Sequence, residues 1–239
     1  MVSSNTVAGV GGLVTVLQVV LLEIAFPYLI SGPVSPNSSV GALFASYNSA
    51  ALVGTFWPAG LFILFVLFFS GIYLALRDAA GSAGVTIFLL AGVAVAFLEV
   101  PVLLTRTALQ WTLVSIAAQH GFATDNSTRI ALEVSGVVVY RVWDVLNNSL
   151  LYWIEGGYVL LFGIVMLKTR VFAHWLGSFS LVVALFQFFN TLGIPLWIPL
   201  GIPDALFIPG NILLIVWTLF ISISLLRLGN QSGGLRRRV

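Results

Sequence analysis

Six stretches of this chain, at about 7–30, 51–76, 85–105, 145–167, 171–193 and 206–228, are apolar over roughly the twenty residues that an α-helix needs to cross a hydrocarbon core about 30 Å thick. That pattern constrains the fold more than anything else in the sequence. With no water in the bilayer core, each backbone N–H and C=O must find its partner within the protein, so such stretches span as helices. Composition agrees: 59% of the residues are apolar and 8% charged, against about 25% charged in a soluble domain. The sequence therefore predicts an all-α, polytopic integral membrane protein, a six-helix bundle forming a single domain over 1–239. Residues 229–239 form a short basic tail.

The first stretch lacks the basic start of a secretory signal, and its apolar run from Val7 to Ile30 is too long for one, so it reads as the first span. Zero cysteines exclude disulfides, thiolate metal sites, Fe–S clusters and a cysteine nucleophile. A net charge of +2, spread along the chain, argues against nucleic acid as a partner. His120 and His174 fall on opposite sides of the membrane, which excludes a bis-histidine haem and a histidine metal site, and Lys168 sits at a helix end, badly placed for a Schiff base. No metal and no other cofactor is expected. The partners expected are membrane lipids, a small or amphipathic ligand and another membrane protein.

Seven of the ten basic residues (Arg77, Lys168, Arg170, Arg227, Arg236, Arg237 and Arg238) fall on one side of a six-span topology. By the positive-inside rule that side is cytoplasmic and holds both termini, in a multi-pass protein of the cell membrane. After Arg106 no breaker occurs until Gly121, so helix 3 is expected to continue beyond the bilayer, as a helix of some 35 residues in all, about 50 Å long. Asp125 or Thr128 would then cap helix 4, which runs to about Lys168 and makes a tall antiparallel hairpin with helix 3. The Phe-rich span 2 reads as lipid-facing. The proline-rich segment after Gly193, IPLWIPLGIPD, reads as a non-helical loop.

Ionisable groups inside the spans mark the candidate site, because charge in hydrocarbon is costly and normally faces a bundle interior or a wet cavity. At about 3.6 residues per turn, Arg141, Asp144, Asn148, Tyr152 and Glu155 return to one helix face. Counted by depth, Glu23, Glu99, Gln187, Asn190 and Asn211 join them in the outer half of the membrane, an arrangement expected of a polar pocket opening outward. Glu155 and Asp144 are the expected acid–base pair. Glu23, Glu99, Arg141, Asn148, Tyr152, Gln187, Asn190 and Asn211 are the expected ligand-binding set. The bland alternative is an Arg141 ion pair with Glu99 or Asp144 that only neutralises buried charge.

The segment YRVWDVLNNSLLYWIEGGYVLLFGIVMLKTRVFAHWLGSFSLVVALFQFF, with Glu99 before it, resembles the prokaryotic membrane-protein family catalogued as domain of unknown function 4386. The likeness covers spans 2 to 6 and departs from the family at His174, where a proline is expected before Trp175. It implies a multi-span helical fold and transfers no catalytic residue. The leading expectation is a protein that binds or transports a small or amphipathic molecule, with carboxylates handling protons. An intramembrane acid–base enzyme of isomerase or cyclase type acting on a lipid or isoprenoid is the alternative, and a membrane scaffold or accessory subunit is the third reading.

Overall fold

A computed structural model describes residues 3–18, 58–197 and 208–235, and all the secondary structure among them is helical. Seven α-helices follow one another: α1 Ser4–Gln18, α2 Pro58–Leu76, α3 Ala83–Phe122, α4 Asn126–Val145, α5 Leu151–Thr169, α6 His174–Trp197 and α7 Ile208–Leu235. A short 3₁₀ turn, Arg77–Ala79, links α2 to α3, and a π-helical turn, Leu146–Leu150, joins α4 to α5 without a break. Among the described residues three helices are long and apolar enough to cross a membrane: Ala83–Phe122, Leu151–Thr169 and Pro209–Asn230. The expected all-helical membrane class is thereby shown.

The turn chemistry sets the hairpin. The Ser82 side chain accepts the Val85 N–H at 3.4 Å to start α3, and Asp125 accepts the Thr128 N–H at 2.7 Å to start α4. Asp125 is thus the cap, and Thr128 lies inside the first turn. Accepting bonds from Ser127 and from both the backbone and side chain of Thr128 holds the Asp125 carboxyl well below the ordinary carboxylate range. With 40 residues, α3 is about 60 Å long, twice a hydrocarbon core. It runs unbroken through Pro101. The antiparallel arms are pinned at the tip by His120 and Glu133, 3.1 Å apart, and nearer the bundle by the Arg106 guanidinium, 5.8 Å from the centre of the Trp143 ring.

The core lies where α5 passes between α3, α6 and the ends of α2 and α7. In a bilayer the hydrophobic effect does not drive helix to helix, so close packing must, and small residues permit it. A Cβ at Gly163 of α5 would stand 2.7 Å from Ser180 Cβ and 3.2 Å from the Gly177 carbonyl, both on α6. On its other side α5 meets α3, where a Cβ at Gly157 would reach Val95 Cγ1 at 3.1 Å. Aromatic rings fill the centre. Phe69 of α2 lies 4.8 Å from Tyr158 and 5.8 Å from Phe162, and Trp217 of α7 lies 6.2 Å from Phe68 and 6.3 Å from Tyr158. The Trp217 indole N–H donates to Ser180 Oγ at 2.7 Å.

Two expectations fail here. Span 2 is not simply lipid-facing: Phe68, Phe69, Ile72 and Leu76 are buried in the core, because an unpolar helix can turn any side inward and this one meets the rings of α5 and α7. The segment after Gly193 is not loop from its start, since α6 continues through Ile194, Pro195 and Leu196 to Trp197. A proline near the end of a helix forfeits one backbone bond, a cost that the terminal turn can absorb.

Candidate functional site

Two carboxyls are buried in the bundle, Glu99 on α3, 4% exposed, and Glu155 on α5, 7% exposed. The antiparallel register that sets Gly92 against Leu161 and Phe162, and Val95 against Gly157, brings Glu99 level with Glu155. Tyr158 lies one turn beyond Glu155 on the same face of α5. Its hydroxyl hydrogen-bonds the Glu99 side chain, and both Glu99 and Glu155 act on it electrostatically. In that bond the phenol O–H donates to a Glu99 oxygen. Glu99, Tyr158 and Glu155 therefore form one buried acid set.

A second polar group adjoins it at the start of α7. Asn211 donates its side-chain N–H to the Tyr152 hydroxyl at 3.2 Å, and Tyr152 lies one turn before Glu155 on α5. Gln187 of α6 is wholly buried and donates to the Gly210 carbonyl at 3.4 Å. Its Oε1 is buried without a hydrogen-bond partner among the described residues. Asn190 is buried beside it and packs onto Gly210 so closely that a Cβ there would collide with its amide. Any larger residue there would push the Asn190 amide aside.

The expected stripe on helix 4 is divided. Tyr152 and Glu155 are buried, whereas Arg141 is exposed and Asp144 half-buried on α4. The π turn at Leu146–Leu150 explains the division. Such a turn takes up an extra residue, and each residue of an α-helix advances by about 100°, so α4 and α5 are out of phase by roughly that angle. Asp144 is half-buried on α4, displaced by that angle from the face that Glu155 occupies on α5. Together with Arg141 it flanks Tyr140, whose hydroxyl is pushed up by burial and by the Asp144 carboxylate, with the Arg141 guanidinium opposing. Asn148 falls in the π turn, where its side chain lies outside the described residues, and Glu23 lies outside them altogether. Trp143 sits under Arg106 and stacks on Tyr140 at 5.8 Å.

Tyr158, Ser180 and Trp217 were not among the expected residues. Tyr158 was legible, since it continues the Tyr152–Glu155 face by one more turn. Nothing in the sequence pairs Ser180 with Trp217. Among the described residues no three His, Asp or Glu side chains gather to hold a metal ion. Chemically, a tyrosine hydroxyl bonded to one buried carboxyl and within electrostatic reach of a second forms a set able to hold a proton.

Searches among protein families, curated proteins and solved structures find nothing that matches this chain.

Proposed function

We propose that the protein spans the cell membrane six times, through α1, α2, α3, α5, α6 and α7, with both termini cytoplasmic. It binds or moves a small or amphipathic molecule in a proton-coupled way, with Glu99, Tyr158 and Glu155 as the proton-holding set and Tyr152, Gln187, Asn190 and Asn211 beside it on the ligand side. The observation that carries this reading is the burial of two carboxyls from different helices near one buried tyrosine, whose hydroxyl is bonded to Glu99 and lies in the field of Glu155. Ionisable residues persist in membrane helices mainly where they serve ion or substrate paths, and two acids coupled through one hydroxyl titrate as a unit. The orphaned Gln187 oxygen adds an acceptor for an N–H or O–H of a ligand or water.

Infrared titration of the reconstituted protein tests it without a known substrate. Glu155→Gln should remove one protonated-carboxyl band and shift the other, Glu99→Gln should do the reverse, and Tyr158→Phe should shift both while removing neither. Proteoliposomes with an entrapped pH dye should lose proton uptake on Glu155→Gln at unchanged expression and fold. If each band is indifferent to the loss of the other carboxyl, the proton-holding set does not exist.

A further inference from the structure

The buried acids lie between two unlike ends of the bundle. Towards the start of α7 the neighbours are polar: Tyr152, Asn211, Gln187 and Asn190. Asn211 is exposed, Tyr152 is buried, and the two share a hydrogen bond, so a polar line runs from the surface to within one turn of Glu155. Gln187 Oε1 lies at this end, a buried acceptor whose desolvation is uncompensated within the described protein.

The other end is dry. Phe162, Val165 and Met166 follow Tyr158 along α5 and are fully buried, as are Leu176 of α6 and Ile221 and Leu225 of α7. Polar groups there are consumed internally. Ser180 Oγ donates to the Leu176 carbonyl at 2.8 Å while accepting from Trp217, and Ser222 Oγ donates to the Thr218 carbonyl at 2.6 Å. Water entering by that route would find, among the described residues, no polar group in want of a partner and would have to part close-packed side chains.

We infer that water and protons reach Glu155 and Glu99 from one side only, past the Tyr152–Asn211 hydrogen bond at the mouth between α5 and α7, with Gln187 Oε1 as the first buried acceptor that incoming water meets. This rests on the reading of Glu99, Tyr158 and Glu155 as a proton-holding set and adds the path that serves it. The hydrogen bond acts as a latch. While Asn211 donates to Tyr152 the mouth is closed, and when the bond opens two further groups become available to water.

Because the chain has no cysteine, single cysteines report the path directly. In proteoliposomes treated from either face with a membrane-impermeant thiol reagent, Asn211→Cys should label fast, Gln187→Cys more slowly and Met166→Cys roughly a hundredfold more slowly than Asn211→Cys, as a close-packed interior requires. Equal labelling of Met166→Cys and Gln187→Cys overturns the one-sided path. Hydrogen–deuterium exchange of the infrared carboxyl bands is the second measure. Tyr152→Phe and Asn211→Ala, each removing the latch, should speed exchange about tenfold, the effect of a lost hydrogen bond of roughly 1.4 kcal/mol. Unchanged exchange in both variants, with the bands still coupled between Glu99 and Glu155, defeats the latch and spares the proton-holding set. Uncoupled bands defeat the set itself.

Discussion

Gly163→Ala adds one methyl group where α5 and α6 touch most closely. The new Cβ would lie 2.7 Å from Ser180 Cβ and 3.2 Å from the Gly177 carbonyl, whereas carbon atoms in contact prefer about 3.5–4.0 Å. The helices must therefore separate by roughly 1 Å, and neither neighbour is the free end of a flexible side chain. Ser180 cannot retreat alone, because its hydroxyl holds the Trp217 indole at 2.7 Å. Overpacking of this kind costs about 1–3 kcal/mol, and in lipid no gain in hydrophobic burial offsets it. The same protein holds the control. At Gly84 and Gly121 of α3 a Cβ would meet nothing within 4 Å, so alanine there should be neutral or stabilising by up to about 1 kcal/mol through helix propensity. Reversible unfolding in mixed micelles, followed by tryptophan fluorescence, measures the series. A Gly163→Ala variant within about 0.5 kcal/mol of the wild type, or one no worse than Gly84→Ala, would refute the close α5–α6 contact, since surface changes fall in that range.

Ser180→Ala should destabilise the bundle by about 1 kcal/mol by leaving the buried Trp217 indole N–H without its acceptor, and Ser180→Thr, which keeps a hydroxyl, should recover part of that; the same unfolding assay reads both. Asp125→Ala should fray the first turn of α4 and raise amide exchange at Thr128. Because folding lowers the Asp125 pKa, its contribution is present above the ordinary carboxyl range and is lost as pH falls through the depressed folded value, so the Thr128 amide of the native chain should stay protected in mild acid. Deleting Ser149 should convert the π turn to α-helix and rotate α4 by about 100° against α5. The His120–Glu133 contact, probed by disulfide crosslinking of a His120→Cys, Glu133→Cys pair, should then be lost while the Glu155 infrared band stays in place.

Helix class, the long hairpin and its Asp125 cap were legible because each rests on a local signal: apolar length, absence of breakers, and a carboxylate three residues before a free N–H. Glu99 and Glu155 were legible as candidates because charge is conspicuous in an apolar run. Tyr158 beside them was legible from the helical period, one turn beyond Glu155 on the same face, but its bond to Glu99 depends on how α3 packs against α5. Burial of Phe68 and Phe69 could not be read from α2 itself, which is apolar on every side and carries no sign of which side meets Tyr158 and Trp217. The place of Arg141 and Asp144 depended on helical phase, and a phase argument holds only while the period does. One inserted residue at Leu146–Leu150 was enough to carry them to another face.

That insertion also gives the molecule its division of labour. An uninterrupted helix from Asn126 to Thr169 would hold Arg141, Asp144 and Glu155 on one side, so any rotation that exposed the arginine would draw the glutamate towards the surface with it. The π turn removes this conflict. It lets α4 present Glu133 to His120 and Trp143 to Arg106 along the outer arm of α3, while α5 independently turns Glu155 and Tyr158 inward to Glu99. The strain of a π turn is then maintained by contacts on both sides of it, which is the condition under which such turns persist. Charge that water can solvate stays on the arm, and the two buried carboxyls, Glu99 and Glu155, are kept in the bundle.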